Sequence, residues 1–117
     1  MSKPPLVNTV RSTSTHTPGR AVNSAGIHHF VIDGTAGPAE EITPVDAFLA
    51  GISACGVHMV ERFAPESNVP LERAEATIEG IRHPDDPSRF AAITLRFNLT
   101  GPSQAQAEEL VERFKGR

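Results

Sequence analysis

The sequence contains no tryptophan, no tyrosine and one cysteine, Cys55, in 117 residues. A single cysteine forms no internal disulfide, which makes a reducing, cytoplasmic compartment the expectation. Six phenylalanines supply all the aromatic mass. A domain this small buries a smaller share of its surface than a large one, so burial across a subunit interface would help it. No apolar run approaches the roughly 20 residues needed to cross a bilayer. The opening stretch, MSKPPLVNTV, lacks the apolar centre of a signal peptide. The net charge is −3 with no Lys/Arg cluster, which argues against a nucleic-acid partner, and no membrane partner is expected.

Several chemistries are missing as well. There is no CxxC, no HExxH and no Gly-x-Ser-x-Gly. DGTAGP has no lysine after it and reads as a loop, not a phosphate cradle. His28 and His29 are adjacent in an expected strand and so point to opposite faces. His16, His83 and Cys55 could join one of them only through the folding of the chain. No metal and no cofactor is expected.

What remains is one domain with a β-rich first third. LVNTVRSTST has strand composition, and TPGR at positions 17–20 has the Pro-Gly order of a type II turn. NSAG at 23–26 reads as a second turn, followed by a strand over 27–33. Thr43 is the expected N-cap of a helix, with Pro44 at its first position and Asp46 in its first turn. That helix is expected to reach about Phe63 and stop before Pro65. LERAEATIEGIR then places Ala74, Ala76 and Ile78 on one strand face. After the acidic turn HPDDPS, the strand FAAITLRFNLT alternates Ile93, Leu95, Phe97 and Leu99 with polar residues. A last helix, capped by Ser103, carries Ala107, Leu110, Val111 and Phe114 as its apolar stripe. The order β-β-(β)-α-β-β-α implies an α+β fold with antiparallel sheet.

In the first helix Phe48, Ile52, Cys55, Met59 and Phe63 share a stripe. The thiol is therefore expected to face a core, an interface or a pocket rather than water. A second stripe, Ala47, Gly51 and Ala54, is made of small residues. Each mid-helix glycine costs about 1 kcal/mol against alanine. Two explanations stay open: another helix crosses closely here, or space beside Cys55 is kept for a substrate. Cys55 is either a small buried hydrophobe or a reactive thiol, and His58, three residues on, is either its tuning partner or a solvated side chain.

The segment TPVDAFLAGISAC resembles the N-P-x-x-L-L-A-A-x-x-A-C segment that opens the central helix of the OsmC/Ohr family of hydroperoxide-reducing or osmotically induced bacterial proteins. The order of elements, ITLRFNLTGP and AEELVERFKGR extend the resemblance over nearly the whole chain. It implies an OsmC-like fold: an antiparallel sheet with a long central helix, in an intertwined homodimer. It also implies one domain over residues 1–117, either complete or lacking the C-terminal part of the family fold. The implied chemistry is thiol-dependent reduction of organic hydroperoxides, with Cys55 as peroxidatic cysteine and an external thiol or dithiol as reductant.

The family pattern is not kept throughout. Where the peroxidase branch carries a glutamate after the proline, this chain has Val45. Asp46 is one residue further on, nine residues before Cys55 and on roughly the opposite side of the helix. Arg20 is the nearest match to the family arginine, although a gap-free reading puts Thr17 at that place. A resolving cysteine after the last helix is not found before Arg117. The alternative is a non-catalytic dimer whose cleft binds a small apolar ligand, with Cys55 as a packing residue.

Overall fold

A computed structural model describes residues 3–116. The elements run β1 (Arg11–Ser14), β2 (Arg20–Ala25), β3 (His28–Asp33), α1 (Pro44–Glu66), β4 (Arg73–His83), β5 (Asp86–Thr100) and α2 (Gln104–Lys115). This is an α+β chain with two antiparallel sheets, β1-β2-β3 and β4-β5. It forms two compact units that meet in sequence at Ala47 and Phe48. Among the described residues, no helix is long and apolar enough to cross a membrane.

In the first unit, the turn before β2 is closed by the Arg20 amide donating to the Thr17 carbonyl at 3.2 Å, with Gly19 at φ +87° as a type II turn requires. The β2–β3 turn is a correction to the expected NSAG. Ala25 pairs with His28, so the loop is Gly26 and Ile27, with Gly26 at φ +61°. Asn23 stays in β2 because its buried side chain joins three strands. It accepts from Ser12 Oγ at 2.6 Å and donates to the Phe30 carbonyl at 3.1 Å, which overrides its turn preference. β1 is also shorter than expected. Arg11 pairs with Ser24, and residues 3–10 have no strand beside them among the described residues. Leu6 and Val7 are exposed accordingly.

The N-cap of α1 is as expected: Thr43 Oγ1 accepts from the Asp46 amide at 3.2 Å. The helix ends three residues later than expected and takes Pro65 into its last turn. It closes as a Schellman motif, with Val69 N–H to the Ala64 carbonyl at 2.8 Å and Asn68 in the left-handed region at φ +56°. Ala64 and Val69 are both buried, supplying the apolar contact that accompanies this cap.

In the second unit, Ala74, Ala76 and Ile78 share the half-buried face of β4 and pair with Leu99, Phe97 and Leu95. β5 begins at Asp86 rather than near Phe90, because His83 pairs with Asp86 and the turn shrinks to Pro84 and Asp85. Ser103 and Gln106 form the capping box of α2. Val60, Phe63, Ala64, Val69 and Leu110 make the core, with Phe97 and Phe114 packed edge-to-face against it at 5.8 Å. Arg113 lies 4.1 Å from the centroid of the Phe63 ring and pairs with Glu66, fastening the end of α2 to the end of α1.

Candidate functional site

Cys55 stands on α1 within the second unit and is exposed in the single chain. Of its stripe, Phe63 is buried and Ile52 and Met59 are half-buried, whereas Phe48 and Cys55 are exposed. The face of α1 turned to the core is Gly56, Val60, Phe63 and Ala64, while Phe48 is 55% exposed. The cause is Gly56. A Cβ there would come within 2.8 Å of Phe97 Cζ and 3.4 Å of Leu95 Cδ2, so only glycine lets the helix lie this close to β5. Cys55 is turned outward, one residue and about 100° away.

The two glycines thus do different things. Gly56 is consumed by helix-on-strand packing, whereas a Cβ on Gly51 would meet nothing within 4 Å. Gly51, Ala54, Cys55 and His58 are all exposed, and no Asp, Glu, Lys or Arg occurs between Asp46 and Glu61. An exposed helix face without charge is unusual for a helix bordering water.

Arg20 lies in the first unit, directly opposite Asp33 across β2 and β3. Its Nε donates to Asp33 Oδ1 and its Nη2 to Asp33 Oδ2, both at 2.8 Å, a bidentate pair. Nη2 also donates to Glu40 at 2.9 Å. Asp33 is fully buried, and its Oδ2 accepts further from the amides of Glu40 and Glu41 at 3.1 and 2.9 Å. The Arg20 hydrogen bonds hold the Asp33 carboxyl far below the usual range, against the opposing effect of its burial. Asp33 and Glu40 in turn raise Arg20. The expected functional residue Arg20 is thus found in an ion-pair network with Asp33 and Glu40. It is a clamp that ties residues 40 and 41, just before the helix cap, to the hairpin.

Asp33 and Glu40 were not singled out from sequence. The signal was available for Asp33: with a two-residue turn at Gly26 and Ile27, every cross-strand pair is set, and Arg20 falls opposite Asp33. Placing the turn at Asn23 hid that pairing. Asp46 sits in the first turn of α1 with its amide on Thr43. Val45 is half-buried. His29 shares a 2.9 Å hydrogen bond with Ser24. Among the described residues, no group of three or more His, Cys, Asp or Glu is placed to hold a metal ion.

The sequence model described as OsmC-like protein matches residues 37–117. The chain belongs to the OsmC-like protein family. Among solved structures, it resembles an OsmC-like protein from Mycoplasma pneumoniae (TM-score 0.81, 16% identity), covering 96% of this chain and 82% of that one. It also resembles the organic hydroperoxide resistance protein OhrB of Bacillus subtilis (TM-score 0.63, 22% identity), covering 92% and 82%. A third is an organic hydroperoxide resistance protein OsmC from Legionella pneumophila (TM-score 0.69, 20% identity), covering 94% and 82%. At such identities the likeness is one of fold. No curated protein matched the sequence.

Proposed function

We propose that this protein reduces organic hydroperoxides with Cys55 as the nucleophile. The observation that carries this reading is the exposed thiol on an uncharged face of α1, in a chain of OsmC-like fold. Two of its structural neighbours are organic hydroperoxide resistance proteins. The Cys55 thiolate attacks the distal oxygen of R–O–OH, the O–O bond breaks, and the alkoxide leaves and is protonated to the alcohol. Cys55 becomes a sulfenic acid. Because the sequence holds one cysteine, an external thiol condenses with the sulfenic acid and releases water. A second thiol, or the second sulfur of a dithiol, then frees Cys55. Arg20 is the assisting cation in this reading, with Asp33 holding its guanidinium.

The working form is a homodimer of OsmC-like domains in the cytoplasm, with α1 central to it. A second copy is the occupant that best suits a face carrying Phe48, Gly51 and Ala54 without charge. The family match spans the sequence boundary between the two units, which supports one domain. Val45, where a glutamate would be expected by resemblance, favours a second reading: a non-catalytic dimer that binds a small apolar ligand. Turnover of cumene hydroperoxide with dithiothreitol separates the two. Catalysis abolished by Cys55→Ser supports the first, and equal background rates in both proteins support the second.

A further inference from the structure

Asp33 and Glu40 meet the same guanidinium on very different terms. Asp33 takes the Nε and Nη2 of Arg20 with both oxygens from a fully buried position. Glu40 reaches Nη2 alone, and its side chain is 70% exposed. Asp33 is held further by the amides of Glu40 and Glu41. It would abandon four hydrogen bonds on leaving, whereas Glu40 gives up one. Among the described residues, Nη1 of Arg20 donates to no partner.

The backbone beside Glu40 is fixed, which leaves its side chain as the part free to move. The Asp33 amide donates to the Ile42 carbonyl at 3.0 Å and the Gly34 amide to the Gly19 carbonyl at 2.7 Å, tying both ends of the loop to the hairpin. A Cβ on Gly19 would collide with the Gly37 carbonyl, so the loop lies directly on the turn ahead of β2. Ala39 sits at φ +58°, a left-handed conformation that alanine keeps only where its surroundings impose it. Withdrawing Glu40 is therefore a rotation about side-chain bonds and needs no opening of the loop. There is room beside the pair, because Arg20 and Asp33 line a cleft of about 380 Å³ together with Ser14, Ala21, Ile32 and Pro44.

The charges around Arg20 do not balance. Two carboxylates meet one guanidinium, so the cluster is net negative where the thiol-peroxidase reading asks for positive charge. Asp33 already fixes the guanidinium plane by its bidentate grip. Glu40 adds negative charge and covers half of the Nη1–Nη2 edge, the fork with which a guanidinium grips a second group. We propose that Glu40 is an autoinhibitory contact on Arg20. Paired, it holds the guanidinium at rest; turned into water, it leaves the Nη1–Nη2 edge open beside a neutral Arg20–Asp33 pair. The inference rests on the reading of Arg20 as the assisting cation. Salt loosens an exposed pair such as Arg20–Glu40 and screens the buried Arg20–Asp33 pair far less. Ionic strength is thus the natural release of the contact.

The test compares the native protein with Glu40→Gln, which keeps an acceptor oxygen for Nη2 and removes the charge. With cumene hydroperoxide and dithiothreitol at low salt, kcat/KM should be at least threefold higher in Glu40→Gln. Between about 0.02 and about 0.3 M sodium chloride the native protein should gain at least twofold and the variant should stay level. An unchanged or lower kcat/KM in Glu40→Gln, or the same salt response in both proteins, overturns the proposal. Should neither protein turn over hydroperoxide, the thiol reading fails by itself, and phenylglyoxal decides whether Glu40 locks Arg20. Peptide mass spectrometry follows its addition to the Arg20 guanidinium. Addition at least threefold faster in Glu40→Gln supports the lock, and equal or slower addition overturns it.

Discussion

Arg20 and Asp33 face each other across the β2–β3 hairpin and close a bidentate ion pair whose acidic partner is fully buried. Asp33 also receives two backbone amides from the loop ahead of α1. One carboxylate thus joins the hairpin to the stretch that leads into the helix bearing the candidate nucleophile. Removing it leaves the guanidinium with Glu40 alone and two amides without their acceptor, which is the costly way to break a buried pair.

The pair sets a sign for acid stability. The Asp33 carboxyl is depressed in the native state, so its contribution is complete above the unfolded value of about 4 and is lost as pH falls toward the native value. Thermal melts from pH 6 to pH 2 should show a steep loss for the native protein. Asp33→Asn should start lower and fall less. Asp86 is depressed too, through its hydrogen bonds with Ser88, and it remains in both proteins, so the difference reports Asp33. Parallel curves would contradict the assignment.

The two glycines of α1 should respond oppositely to alanine. Gly51→Ala gains helix propensity of about 1 kcal/mol with nothing to obstruct the new methyl. Gly56→Ala must displace Phe97 or lift the helix from β5, and overpacking of this kind costs about 1–3 kcal/mol. Urea denaturation of dilute protein, where association is weak, measures both. A stabilised Gly56→Ala would mean that α1 does not sit where it is described.

If a second copy covers the Gly51 and Ala54 face, a large or charged residue there must disrupt it. Sedimentation equilibrium should show a dimer for the native protein and a monomer for Ala54→Arg. A native protein that sediments as a monomer at micromolar concentration contradicts the dimer proposal.

Leu110 is fully buried at the meeting of α1, α2 and the β4–β5 hairpin. Leu110→Ala should destabilise by about 2–5 kcal/mol in chemical denaturation, a large share of what a small domain has. Phe48, exposed though apolar, should tolerate truncation far better in the dilute monomer.

Much of this fold was legible from periodicity and caps. The alternation of Leu95, Phe97 and Leu99, the Thr43 cap and the Ser103 capping box all rest on local chemistry, and all appear as expected. What local chemistry could not show is which neighbour a residue meets. Asn23 suits a turn until a buried cross-strand network holds it. Cys55 shares a stripe with Phe63, yet Phe63 is buried while Cys55 stands exposed in the single chain, because Gly56 lets β5 approach from the adjacent side. Ile93 keeps the alternation but lies where the sheet face is open. Arg20 was legible as a cation, while its two carboxylates required the hairpin register.

The central claim is that Cys55 is a working nucleophile. Intact mass spectrometry of reduced protein mixed with one equivalent of cumene hydroperoxide tests it directly, with peroxide loss followed in parallel. The account predicts rapid peroxide loss, with one added oxygen or a Cys55-linked dimer, and neither in Cys55→Ser. Unchanged peroxide over an unmodified protein would contradict it.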